Sequence, residues 1–159
     1  MHTVYFLLGS NIGDSKTALQ LAEKHIEAAM GPIKKRSAFY RTAAWGNTDQ
    51  PDFLNRVIII ETALTAGETL KIILKTEEQM GRTRSYKNAP RMIDIDILFF
   101  DDEIINTKDL AVPHPEIQNR RFVLEPLNEI SPSFLHPLLR KTSAEMLAAC
   151  GDRLNVQKI

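Results

Sequence analysis

The chain has 159 residues, 43% of them hydrophobic, enough to bury the core of one ordinary domain without disulfides or a structural metal. Acidic and basic residues balance at 20 each, so no global field steers the molecule toward nucleic acid or a membrane, and neither is expected as a partner. Cys150 stands alone, which excludes an internal disulfide and cysteine-rich zinc sites, and the first apolar run, residues 4–8, is too short for a signal peptide or a membrane span, so a cytoplasmic location is expected.

No repeat, low-complexity tract or linker interrupts the chain, so residues 1–159 are read as a single domain. Residues 3–8 read as a buried strand running into Gly9-Ser10-Asn11-Ile12-Gly13-Asp14, a loop that ends at a helix cap and carries no P-loop pattern. Leu19, Ala22, Ile26 and Ala29 then recur at helical spacing over residues 15–30, and Gly31-Pro32 stops the pattern. Residues 33–42 read as one strand and residues 53–63 as another, centred on Val57-Ile58-Ile59-Ile60. Thr65 and Glu68 have capping-box spacing, and Leu70, Ile73, Leu74 and Glu77 carry the helical period toward Gly81. A strand from Asp94 to Phe100 follows, then a turn at Asp101-Asp102 into a short strand over residues 103–106. Prolines at 113, 115, 126, 132 and 137 limit later helices to short pieces, with one capped helix over residues 142–149. The order predicts an α+β fold, a ferredoxin-like βαββαβ core with helices packed on an antiparallel sheet and an irregular C-terminal third.

Three clusters carry chemistry. Asp94 and Asp96, two apart in a strand, project from one face while Ile93, Ile95 and Ile97 face the other way. Adjacent carboxylates repel unless a cation sits between them, and hard divalent ions such as Mg²⁺ take carboxylate oxygens and share the rest of their shell with phosphates. A lone Asp-x-Asp also reads as the polar face of a half-exposed strand. Here Arg82, Arg84, Lys87 and Arg91 precede the pair in one loop, and guanidinium groups suit a polyphosphate. In the second cluster, Phe53 and Asn55 share a strand face, where a ring can stack on a flat heterocycle and an amide can read its edge, although phenylalanine is more often core. The third places His114 between Pro113 and Pro115, close to Arg120, Arg121 and Phe122. Such residues are more often structural or solvated, and alone they decide nothing.

Together these segments resemble the 6-hydroxymethyl-7,8-dihydropterin pyrophosphokinase family. The resemblance runs through Gly9-Ser10-Asn11, Phe39-Tyr40-Arg41-Thr42, Gln50-Pro51-Asp52-Phe53-Leu54-Asn55, Glu77, Gly81-Arg82-x-Arg84, Pro90-Arg91-x-x-Asp94-Ile95-Asp96 and Val112-Pro113-His114, to Asn119-Arg120-x-Phe122. It implies transfer of pyrophosphate from ATP to a pterin alcohol, with AMP as coproduct, in folate biosynthesis. It further implies two Mg²⁺ ions held by Asp94 and Asp96, and polyphosphate or nucleotide contacts from Glu77, Arg82, Arg91, Ile97, His114 and Arg120. Arg84 falls on the mobile loop of the catalytic set. Phe53 and Phe122 fall at the stacking positions for pterin, Asn55 at the edge-reading position, and Thr42, Ala43 and Trp45 at the wall of that pocket.

The chain also departs from the family pattern. Lys87-Asn88-Ala89-Pro90 lacks the tryptophan that many members carry before the signature arginine, so the loop from Arg82 reads as shortened, and it is expected to order over the triphosphate when substrates bind. Ala43 and Ala44 replace frequent prolines, and Pro115 takes a position that is aromatic in some members. The protein is expected to act as a monomer. Two rival readings stand beside this one: a metal-dependent phosphohydrolase that uses the same aspartates to activate water, and a single-strand RNA-binding module that stacks bases on its sheet.

Overall fold

Continuous apolar character in a strand signals burial on both faces, and the first strand, β1 (His2–Ser10), is buried from Val4 onward. The computed structural model describes residues 1–43, 50–81 and 93–159. In chain order β1 is followed by α1 (Ser15–Met30), β2 (Ile33–Arg36), β3 (Tyr40–Thr42), β4 (Phe53–Thr62), α2 (Ala66–Gln79) and β5 (Asp94–Phe100). The C-terminal third adds β6 (Ile105–Asn106), β7 (Ala111–Val112), a short 3₁₀ turn, α3 (Arg121–Ile130), α4 (Ser143–Ala149) and β8 (Val156–Lys158). The main sheet runs β5-β1-β4-β3-β8, with β2 also paired to β4, and all its pairings are antiparallel. With β2 and β3 counted as one interrupted strand, this is the expected ferredoxin-like βαββαβ core.

Side-chain alternation along β1 divides the core in two. Val4, Phe6 and Leu8 pack with Leu19, Ala22 and Ile26 of α1 and Ile73 of α2. Tyr5 and Leu7 turn the other way, onto Val123, Leu124 and Leu127 of α3 and Met146 of α4. The helices are bounded much as their sequence signals predict. Asp14 caps α1 by accepting from the Thr17 N–H, and Thr65 and Glu68 form a reciprocal capping box on α2. Gly31 ends α1 at φ 139°, and a Cβ there would run into the Glu61 carbonyl, so no other residue suits the position.

Residues 33–42 do not form the single strand predicted for them. Pairing with β4 breaks after Arg36, where the buried Ser37 accepts from the Val57 N–H through its own hydroxyl, and resumes at Tyr40. A side chain that satisfies a ladder donor removes the need for continuous backbone pairing. The short strand predicted over residues 103–106 begins at Ile105 and pairs with β7. In the proline-rich third, α3 is a full ten residues long and contains Pro126, whose ring removes one helical hydrogen bond. Burial of Val123, Leu124, Pro126 and Leu127 offsets that loss.

Candidate active site

The register of three strands builds the floor of one cavity. Gly9 lies opposite Asp94 on β5 and opposite Asn55 on β4, while Leu7 lies opposite Asp96. The two aspartates therefore share a face, as the alternation predicts, and both are half-buried. Phe53 and Asn55 stand across Gly9 from them. Thr42 and Ala43 at the end of β3 form one wall, and Arg120 and Phe122 at the start of α3 form the other. The Arg120 guanidinium lies 5.8 Å from the Phe122 ring centroid, so charge and ring enter the cavity together.

Asn55 is only 3% exposed, and its amide Nδ2 is buried with no hydrogen-bond partner among the described residues. An orphaned buried donor costs about 1–3 kcal/mol, so it persists where an incoming acceptor repays it. Gly9 makes room for this amide. A Cβ at Gly9 would lie 2.7 Å from Asn55 Oδ1, closer than real Cβ contacts come, so the absence of a side chain is what lets Asn55 lie over the floor. The sequence places Gly9 at the start of a loop. It is a strand residue, and what matters is its missing volume.

A second cleft opens on the other side of β5, lined by Glu77, Ile97 and His114 together with Leu70, Leu74, Asp109 and Leu110. Asp94 and Asp96 line it too, so the carboxylate pair stands between the two cavities. Glu77 is buried on α2, and its Oε2 accepts from the Ile95 N–H at 2.8 Å. Among the described residues β5 is the last strand of its sheet, and the Glu77 carboxylate takes this outward N–H between the two aspartates. Ile97 points mainly into the core beneath the cleft.

His114 Nδ1 accepts from the Glu116 N–H at 3.1 Å, which leaves Nε2 to carry the ring proton. Burial pushes the imidazole below its ordinary pKa and the Arg120 charge adds to that, opposed by Asp94 and Glu116. His114 is thus a neutral donor at the cleft. Among the described residues no group of three histidine, cysteine or acidic side chains forms a metal cage. Two carboxylates that leave most of a coordination shell to phosphate oxygens and water are nevertheless the donor set Mg²⁺ accepts, and the face shared by Asp94 and Asp96 supplies it.

Of the residues singled out from sequence, Thr42, Ala43, Phe53, Asn55, Asp94, Asp96, Arg120 and Phe122 meet at the first cavity, and Glu77, Ile97 and His114 at the second. Trp45, Arg82, Arg84, Arg91 and the rest of the arginine loop lie outside the described residues. Leu7 and Asp109 were not anticipated. Leu7 carries no signal beyond its strand position, and Asp109 would have been legible only as a carboxylate beside the Val112-Pro113-His114 motif.

The family model for 7,8-dihydro-6-hydroxymethylpterin-pyrophosphokinase matches residues 5–132. The chain belongs to that family. A pyrophosphokinase from Aquifex aeolicus is 44% identical over 145 residues, covering 91% of this chain and 90% of the relative. One from Bacillus subtilis is 44% identical over 128 residues, 79% of this chain and 76% of the relative. Both are named 2-amino-4-hydroxy-6-hydroxymethyldihydropteridine pyrophosphokinase. The fold recurs in a solved HPPK-DHPS in complex with substrates, with a TM-score of 0.75 at 17% identity, over 93% of this chain. It recurs also in a Plasmodium falciparum HPPK-DHPS, with a TM-score of 0.74 at 18% identity, over 94% of this chain. The chain spans 43% of the length of each of those proteins. This pyrophosphokinase is an ATP-dependent diphosphokinase of folate biosynthesis. None of its described helices is long and apolar enough to cross a membrane.

Proposed function

We propose that this pyrophosphokinase transfers the pyrophosphoryl group of ATP to 6-hydroxymethyl-7,8-dihydropterin at the boundary between the two cavities. The hydroxymethyl oxygen forms a bond to the β-phosphorus, the bond from that phosphorus to the α,β-bridging oxygen breaks, AMP leaves and the hydroxyl proton is lost. The observation that carries this reading is the carboxylate pair standing between an aromatic cavity with an unsatisfied amide and a cleft with a neutral histidine donor. Pterin occupies the first, stacked by Phe53 and Phe122, with its ring edge on Asn55 and Thr42 and Ala43 along its side, and the family resemblance adds Trp45 as a contact. ATP occupies the second, near Glu77 and Ile97, with His114 Nε2–H and Arg120 directed at phosphate oxygens.

Asp94 and Asp96 would hold two Mg²⁺ ions, which when bound supply charge neutralisation for the polyphosphate and for the attacking and leaving oxygens. In-line phosphoryl chemistry asks the protein mainly for positioning, and the two facing cavities provide it. Arg82 and Arg91 supply further phosphate donors, and Arg84 a contact made mainly in the closed complex. We also propose a cytoplasmic monomer that engages neither nucleic acid nor membrane.

Incubation with ATP, Mg²⁺ and the hydroxymethyl pterin tests the reading. AMP with pterin pyrophosphate supports it, ADP and phosphate point to a hydrolase, and no turnover removes the assignment.

A further inference from the structure

We infer that the C-terminal segment, residues 152–159, sets the width of the pterin cavity, with Asp152 as a positioning residue that acts through the start of α3. This rests on the first cavity being the pterin site.

A helix leaves its first N–H groups without intrahelical partners, and Arg120, the cap residue of α3, makes no side-chain capping hydrogen bond. The acceptor comes instead from 31 residues further along: Asp152 Oδ2 takes the Arg121 N–H at 2.9 Å. Arg121 sits between Arg120 and Phe122, the two side chains that α3 contributes to the cavity. The same carboxylate accepts the Leu154 N–H at 3.0 Å through Oδ1, which turns the chain toward β8.

β8 then pairs with β3 on the edge away from β4, with Val156 opposite Thr42 and Lys158 opposite Tyr40. The Thr42 hydroxyl donates to the Asn155 carbonyl at 3.1 Å, and the Ile159 N–H donates to the Phe39 carbonyl at 2.9 Å. β3 has only three residues, and among the described residues β8 is the strand that pairs with its outer edge. One short segment therefore bonds to both walls, the start of α3 behind Phe122 and the end of β3 behind Thr42 and Ala43. It lies beyond residues 5–132, so this brace sits outside the part of the chain that the family model describes. Apart from Arg120, the nucleotide site is built on α2, β5 and the loop around His114, none of which this segment bonds to in the contacts above.

Loss of the Asp152 acceptor frees the first turn of α3 and lets Phe122 shift relative to Asn55; Arg120 shifts with it, but Glu77, Ile97 and His114 stay in place, so pterin binding weakens more than nucleotide binding. The test is steady-state kinetics on the full-length chain with Asp152→Ala, Asp152→Ser and Asp152→Asn, each checked by thermal melting. Asp152→Ala should raise the pterin KM roughly tenfold, equivalent to about 1.4 kcal/mol, with a clearly smaller rise in the ATP KM, through Arg120 alone. Asp152→Asn should restore part of the loss, because its one side-chain oxygen can accept from the Arg121 N–H while its NH2 cannot accept from Leu154. If Asp152→Ala does not fold, Asp152→Ser, whose hydroxyl stops one bond short of the carboxylate oxygens and so holds the Arg121 N–H less well, reads the same difference between the two KM values. Equal rises in both KM values, an unchanged pterin KM in folded protein, or an asparagine variant as impaired as the alanine variant would overturn the inference. Absence of transfer by the wild-type protein sinks the functional reading itself, whereas these outcomes in a working enzyme sink only the brace.

Discussion

Gly9→Ala is expected to damage pterin binding through Asn55 while leaving the nucleotide site intact. The added Cβ would meet Asn55 Oδ1 at 2.7 Å, short of the 3.4 Å at which ordinary contacts begin. Asn55 is 3% exposed and open only toward the cavity that it lines, so its amide must move by about the missing 0.7 Å or rotate. A hydrogen bond of about 2.9 Å stretched by that amount falls outside bonding distance. Losing one buried bond to the pterin edge costs about 1–3 kcal/mol, or roughly 5- to 150-fold in affinity. The fold itself should tolerate the change. Alanine in a strand gains about 0.5–1 kcal/mol over glycine, against about 1–3 kcal/mol for overpacking, so net stability falls by between about zero and 2.5 kcal/mol. The assay is calorimetric titration of pterin into protein saturated with Mg²⁺ and a non-hydrolysable ATP analogue, with the analogue titrated separately. Unchanged pterin affinity in folded Gly9→Ala protein, or equal losses for pterin and nucleotide, would refute the placement of Asn55.

Three further predictions follow from the same geometry. Asp96→Ala should abolish pyrophosphate transfer while the melting temperature holds or rises slightly, because it removes a cation ligand together with a like charge beside Asp94, and normal turnover at saturating Mg²⁺ would show that the pair is not the metal site. Glu77→Ala should destabilise the protein by about 1–3 kcal/mol, because the buried Ile95 N–H loses its acceptor, and Glu77→Gln should recover most of this in urea denaturation; equal losses in both variants would contradict the latch. Burial also holds His136 below its ordinary pKa, as it does His114, and His136 Nδ1 accepts the Leu138 and Leu139 N–H groups. In the unfolded chain these imidazoles take up protons at their ordinary value of 6.5, while the folded chain resists until lower pH, so their contribution to stability is complete above that value and declines below it. Urea midpoints measured between about pH 7 and 5 should fall, and fall less steeply in His136→Gln; parallel profiles would remove His136 as a cause.

The elements legible in the sequence are those whose signal is local. Asp14 and Thr65 mark helix starts because a capping bond closes within three residues, and β1 is evident from the unbroken apolar run Val4 to Leu8, although it extends through Gly9 and Ser10, which read as loop. Asp94 and Asp96 share a face because strand side chains alternate, and the aromatic and amide at Phe53 and Asn55 follow the same rule. Alternation misleads a few residues later. Opposite β1, Tyr5 faces Phe99 and Phe6 faces Ile97, so Leu98 is an extra residue, and Leu98 and Phe99 both turn toward α3 while Phe100 joins the other core. No local pattern marks that bulge, because it is set by how β5 fits against β1 and the helices on both faces.

Nor does the sequence show that Gly9 is small for the sake of Asn55, that Glu77 latches β5, or that Asp152 caps a helix beginning 31 residues earlier. Each joins groups far apart in the chain. What the sequence by itself determined was the chemical inventory and the local geometry of each segment, since dihedral preferences and side-chain periodicity act over a few residues. The meeting of Asp94, Asn55, Thr42 and Phe122 in one cavity was decided by tertiary structure alone, through strand register and helix packing between segments that have no local means of finding one another.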